Sequence, residues 1–134
     1  ETLVTINVIA NDSDIDGTID VATVDLNTST SGIQTTNTTS AGTFSVNSSG
    51  VVSYTPAVNF VGTATLNYTV RDNQGLTSNV AIITVMVSNV NDPPVAVNDV
   101  VTTNEDVSVT KNIVSNDTDV DGIVDVGSVD LDPG

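Results

Sequence analysis

The stretch Thr63-Ala64-Thr65-Leu66-Asn67-Tyr68-Thr69-Val70-Arg71 alternates polar and apolar residues, then breaks into Asp72-Asn73-Gln74-Gly75. Successive side chains of a strand point to opposite faces, so Ala64, Leu66, Tyr68 and Val70 are expected to share an inward face. The four residues that follow are turn formers. Leu3 to Ala10 repeats the alternation, with Val4, Ile6, Val8 and Ala10 on one face. Val21 to Leu26 reads as a short strand, and residues 27–42, rich in Thr, Ser and Asn, as loop or a weak edge strand. Thr43–Val46 and Val51–Thr55 flank Asn47-Ser48-Ser49-Gly50, the pattern of a hairpin. Pro56 ends the second arm because it has no amide proton for a ladder. Thr77 to Val90 is apolar on both faces around Val80–Val87, which predicts the longest strand and a central position. No segment sustains a helical period. Short strands with frequent turns predict an all-β sandwich.

A second pattern overlies the first. Asn11-Asp12-Ser13-Asp14-Ile15-Asp16-Gly17 recurs as Asn116-Asp117-Thr118-Asp119-Val120-Asp121-Gly122, at an offset of 105 residues. The match runs from Asn7 against Asn112 to Leu26 against Leu131, so the chain is expected to be a tandem repeat. Residues 1–90 read as one repeat lacking its first strand, 91–94 as an Asn-Asp-Pro-Pro linker, and 95–134 as the opening third of the next. Those last residues are too few to bury an independent core. Two prolines stop the preceding strand and stiffen the linker.

Carboxylates at alternate positions before a glycine can converge on one hard cation, with oxygen donors only. Asp12, Asp14 and Asp16, and again Asp117, Asp119 and Asp121, are therefore candidate Ca2+ ligands. Two Lys or Arg residues face 17 Asp and Glu, for a formal net charge of −15. Asp12, Asp14, Asp16, Asp20 and Asp25 form one acidic cluster, and Asp117, Asp119, Asp121, Asp125, Asp130 and Asp132 another. Such clusters oppose compaction unless positive groups sit among them. The motif is not an EF-hand: counted from Asp12, the position of the bidentate Glu is Thr23, or Ser128 in the second copy, and strands flank it. Affinity in the range of about 0.1–1 mM is expected.

Val8 through Gly17 resembles a hallmark of the cadherin-like, Ig-fold tandem repeats of very large bacterial surface proteins. So do Tyr54-Thr55-Pro56-Ala57-Val58-Asn59-Phe60-Val61-Gly62 running into Leu66–Asp72, and Val90-Asn91-Asp92-Pro93-Pro94-Val95-Ala96. The resemblance covers nearly the whole chain. It implies an Ig/cadherin-like β-sandwich repeated head to tail at the bacterial cell surface, as stalk or spacer. Cadherins bind calcium between successive domains, and the resemblance extends the ligand set. Asp72 matches their hairpin Asp, Asn89, Asn91 and Asp92 match the linker, and Glu105 matches a Glu near the first strand. Asn89 replaces an Asp of the cadherin linker, Pro93 replaces its second Asn, and the Leu-Asp-Arg-Glu motif has no counterpart. Tyr68 resembles a tyrosine-corner residue with its hydroxyl tied to backbone. Tyr54 and Phe60 read as core.

The composition excludes several functions. Almost nothing could neutralise phosphates, which removes nucleic acid as a partner. Without Cys there is no disulfide or thiolate site, and without His the usual zinc ligand and general base are missing. No run is apolar and long enough to span a bilayer. Paired carboxylates without a cleft or an aromatic wall do not make a glycosidase, so the chain is read as no enzyme. The alternatives are a carbohydrate-binding module, disfavoured by 3% aromatic content, and a filament subunit whose Val95–Thr103 segment adds a strand to a neighbour. Partners are then neighbouring repeats or subunits, with a cell-surface glycan or protein beyond them. Arg71 is expected to pair across a strand. Lys111, replaced by Ile6 in the other copy, is expected to be an exposed lysine rather than a crosslinking device.

Overall fold

The computed structural model describes residues 3–131, so Asp132 of the second acidic cluster lies outside the described residues. The chain divides into two units, Glu1–Ser88 and Asn89–Gly134. The first unit holds strands β1 (Val4–Asn7), β2 (Ile19–Asp25), β3 (Thr36–Thr39), β4 (Gly42–Val46), β5 (Val51–Pro56), β6 (Gly62–Asp72) and β7 (Ala81–Val87). They form a four-stranded sheet in the order β1-β5-β4-β3 and a three-stranded sheet in the order β2-β6-β7. All pairings are antiparallel. The alternation seen in the sequence becomes the core: Ala64, Leu66, Tyr68 and Val70 are all buried on β6. They join Val8, Val24, Leu26, Phe44, Val52, Tyr54, Ile83 and Val85 in one cluster, with Phe60 packed partly buried against it. The two sheets thus bury their apolar faces against each other, as an Ig-like sandwich does.

The β4–β5 hairpin forms where the turn chemistry placed it. Asn47 Oδ1 accepts from the Ser49 and Val51 amides at 2.9 and 3.1 Å, and Gly50 takes φ 73°, which a residue with a Cβ resists. Phe44 and Tyr54 face each other across this hairpin with ring centroids 4.5 Å apart. Tyr54 also donates its hydroxyl to the Ala41 carbonyl at 2.6 Å, so its one polar atom is satisfied inside the core. The weak strand expected within 27–42 is the edge strand β3.

One expectation is corrected. The longest strand is β6, with 11 residues, while β7 has seven and lies at the edge of its sheet. Ile82 and Met86 are 65% and 83% exposed, so the outer face of β7 is uncovered. An apolar run on both faces records strand propensity and does not by itself report a neighbour on each side.

The second unit contains one 3-10 turn, Val126–Ser128, and an isolated antiparallel bridge between Val95 and Thr118. None of its described residues is buried. The counterparts of β1 and β2 lie here at the 105-residue offset, yet they are not strands. In the first unit those strands pair with β5 and β6, and the described residues of this unit include no strand in either place.

The Phe44–Tyr54 pair should dominate stability. Phe44→Ala is expected to cost about 3–5 kcal/mol through lost burial and the cavity it leaves. Urea unfolding followed by tyrosine fluorescence measures this.

Candidate functional site

Each acidic loop is shaped by its own second aspartate. In the first copy Asp14 Oδ1 accepts from the Asp16 amide at 3.3 Å. In the second, Asp119 Oδ1 accepts from the Asp121 and Gly122 amides at 3.1 and 2.9 Å. Such side chain-to-backbone bonds, two or three residues ahead, are what Asp favours in turns. The glycine leaves room for the folded-back side chains. A Cβ on Gly17 would lie 2.7 Å from Asp14 Oδ2 and 2.6 Å from Asn73 Oδ1, and one on Gly122 would lie 2.9 Å from Asp119 Oδ2. The same Asp folds back over the same Gly in both repeats.

The first loop is anchored to the sandwich by Tyr68. Its hydroxyl lies 3.0 Å from the Val8 carbonyl and 3.1 and 3.0 Å from the two Asp12 carboxylate oxygens, sharing its proton among them. The expected tie to backbone is present, but it reaches the end of β1, sixty residues upstream. Burial, then the hydrogen bond and negative charge of Asp12, push the Tyr68 hydroxyl up to about 12. Thr18 NH donates to Asn73 Oδ1 at 3.0 Å, tying the far end of the loop to the β6–β7 turn. Asn73 went unnoticed in the sequence because its role depends on the turn meeting the loop.

Asp12 and Asp14 line an open concavity of about 380 Å³ together with Tyr68, Asp72, Ser78 and Asn79. Asp72 Oδ1 is engaged as a turn cap, accepting from the Gln74 and Leu76 amides at 2.7 and 2.9 Å. Arg71 lies opposite Asp20 in the β2–β6 register, but no ion pair joins them among the described residues. Thr23 occupies the position where an EF-hand would carry Glu. Its hydroxyl donates to the Asp20 carbonyl at 2.7 Å and accepts from the Arg71 amide at 2.8 Å, filling a break in the β2–β6 register. Asp16 is exposed.

In the second unit the linker lies on the loop. Asn89 Nδ2 donates to Asp121 Oδ2 at 2.8 Å, and the Asp92 amide approaches the same carboxylate at 3.3 and 3.4 Å. Val97 NH donates to Asp117 Oδ1 at 2.8 Å, and Val95 and Thr118 exchange backbone bonds at 2.7 and 3.1 Å. The Asn89 amide first, then the Asp92 amide, hold the Asp121 carboxyl below its ordinary value of 3.8. That contribution is present at neutral pH and is lost as pH falls through the depressed value. Asn91 turns onto the Asp92 carbonyl at 3.1 Å. Glu105 is exposed in the turn around Asp106 and makes no hydrogen bond or ion pair. Lys111 pairs with Asp99 at 3.3 Å.

The donor set suits a hard cation, since every candidate atom is an oxygen. Asp14 Oδ2 is buried and has no hydrogen-bond partner, an anionic oxygen that a cation would satisfy. Among the described residues, however, no three carboxylates are gathered closely enough to hold a metal as they stand.

A comparison with protein families matches residues 1–86 to the bacterial Ig domain. The chain belongs to that family. No curated protein and no solved structure matches it. Bacterial Ig domains are non-catalytic modules typical of surface proteins. No helix among the described residues is long and apolar enough to cross a membrane.

Tyr68→Phe removes the donor shared by Val8 and Asp12 and is expected to cost about 1–3 kcal/mol. The raised hydroxyl gives a second readout. Its stabilising effect is complete below pH 10 and disappears as pH rises toward about 12. Thermal melts between pH 9 and 12 should therefore show a steeper alkaline loss in the wild type than in Tyr68→Phe; the part that remains belongs to Tyr54, whose hydroxyl burial also raises.

Proposed function

We propose that this bacterial Ig domain chain is a structural spacer of a long extracellular surface protein, whose junctions are set by the acidic loop and stiffened by Ca2+. The observation that carries this reading is the seating of the linker on the loop, Asn89 and Asp92 on Asp121 and Val97 on Asp117. A spacer has to transmit position from one repeat to the next, and a linker that swings freely cannot. Five hydrogen-bonding groups of the linker and loop remove much of that freedom. The bonds use one oxygen of Asp117 and leave Asp119 Oδ2 without a donor. In the first copy Asp14 Oδ2 stands in the same position as that oxygen. Calcium would be held by the loop carboxylates, with Asp12, Asp14 and Asp72 as its residues in the first unit, after small side-chain rotations. It would supply the positive charge that the chain lacks. No catalytic role is assigned.

Calorimetric titration of the chain with CaCl2 tests the calcium part. Expected are a dissociation constant of about 0.1–1 mM, a stability gain of about 1.4–2.7 kcal/mol in 10 mM CaCl2 over EDTA, and loss of most of the response in Asp14→Asn. An absence of heat, with melting unchanged by chelator, leaves the spacer without its metal.

A second reading rests on the outer edge of β1. That edge is unpaired among the described residues. The orders β1-β5-β4 and β2-β6-β7 correspond to B-E-D and C-F-G of an Ig sandwich, in which strand A lies beside B. Val95–Thr103 precedes the counterpart of β1 in the second repeat and is in no strand here. Donated to another copy, it would complete the sheet and build a filament. Light scattering should then show mass growing with concentration and staying monomeric after Val97→Pro, because proline cannot join the ladder. A wild-type monomer at all concentrations eliminates this reading.

A further inference from the structure

The two repeats carry the same dipeptide, Asp16-Gly17 and Asp121-Gly122, in different chemical settings. From this difference we infer that Asp16 is a site of spontaneous isoaspartate formation and that its copy, Asp121, is protected. In the reaction the Gly amide nitrogen attacks the Cγ of the preceding Asp. The carboxyl hydroxyl leaves with the amide proton as water, and a five-membered succinimide closes. Water then adds to one of its two carbonyls. Attack at one restores Asp; attack at the other leaves isoaspartate, with the main chain rerouted through Cγ and one methylene longer. Mass is unchanged and no co-reactant other than water is needed.

Two groups govern the ring closure, and both differ between the copies. The nucleophile is the glycine N–H. Gly122 donates it to Asp119 Oδ1 at 2.9 Å, which ties up the proton that must leave. Gly17 has no acceptor for its N–H. The electrophile is the aspartyl carboxyl, which has to turn onto the nitrogen of the following glycine. The Asp121 carboxylate accepts from the Asn89 side chain at 2.8 Å and from the Asp92 amide at 3.3 and 3.4 Å, which holds it from turning onto the Gly122 nitrogen. The exposed carboxyl of Asp16 has no hydrogen-bond partner and is free to rotate onto the Gly17 nitrogen. Glycine is the residue that opposes this closure least, having no side chain to obstruct the ring. A side chain at position 17 would have to displace the Asp14 and Asn73 side-chain oxygens.

The test is to age the full chain at 37 °C and neutral pH in EDTA. Isoaspartate is then mapped by isoaspartyl methyltransferase labelling and electron-transfer fragmentation. Expected is accumulation at Asp16 several-fold faster than at Asp121. Asp119→Ala, which removes the acceptor of the Gly122 N–H, should raise the rate at Asp121 toward that at Asp16 and leave Asp16 unchanged. Equal rates at the two positions in the wild type would overturn the inference, as would a rate at Asp121 indifferent to Asp119→Ala.

Discussion

The Tyr68 hydroxyl is where the sandwich and the acidic loop meet. Tyr68 stands on β6, in the three-stranded sheet, while Val8 continues from β1 in the other. One hydroxyl therefore bridges the two layers and fixes the first carboxylate of the loop. The bond sits at the end of a ring that is itself core, 5% exposed, so the polar tie is fastened by hydrophobic packing. A phenol with one proton and two acceptors ranks among the better ways to hold a carboxylate near an apolar interior. An amine there would need its own counter-ion, and an apolar residue would leave Asp12 and the Val8 carbonyl without a donor.

Charge poses the next difficulty. With two basic residues against 17 acidic ones, salt bridges cannot neutralise the loops, and the described ion pair, Lys111 with Asp99, is outside them. The chain uses backbone dipoles instead. Asp20, Asp25, Asp72 and Asp125 each accept from an amide two residues ahead. The carboxylates thus double as turn formers, which explains why so acidic a sequence can be compact. Each N–H⋯O⁻ bond is stronger than a neutral one and also sets the local backbone. Asp14 Oδ2 is buried with no such donor, and a cation would satisfy it.

Much of this was legible in the residues, for identifiable reasons. The period-2 pattern of 63–71, the Asn47–Gly50 hairpin and the stop at Pro56 are local, and local rules read them correctly. The position of β7 was not local. Ile82 and Met86 favour a strand wherever it lies, and the sheet order that put β7 at an edge depends on β2 pairing with β6. In the site, the reading brought the linker and the second loop together but not the manner of their contact, which is through amide donors rather than through converging carboxylates. Glu105, included by resemblance alone, stays apart. The Tyr68–Asp12 contact joins residues 56 apart in the chain, and no spacing rule announces such a pair.

The duplicated loop separates what the motif does by itself from what its context adds. The fold-back of the second Asp over the Gly occurs in both copies, although their surroundings differ. Tyr68 holds the first copy, and the described residues of the second unit include no counterpart of it. The linker contacts are seen only in the second, where residues 89–97 precede the loop. One loop is therefore seen against its own sandwich and the other against the linker leading into it. Neither set of contacts excludes the other. In the first, the Asp12 carboxylate takes the tyrosine, and in the second its counterpart Asp117 takes Val97 NH through one oxygen. A carboxylate has lone pairs enough for both. In a repeat with both neighbours present, the loop would be clamped from its own core and from the linker before it, and the acidic motif would then work as the joint between them.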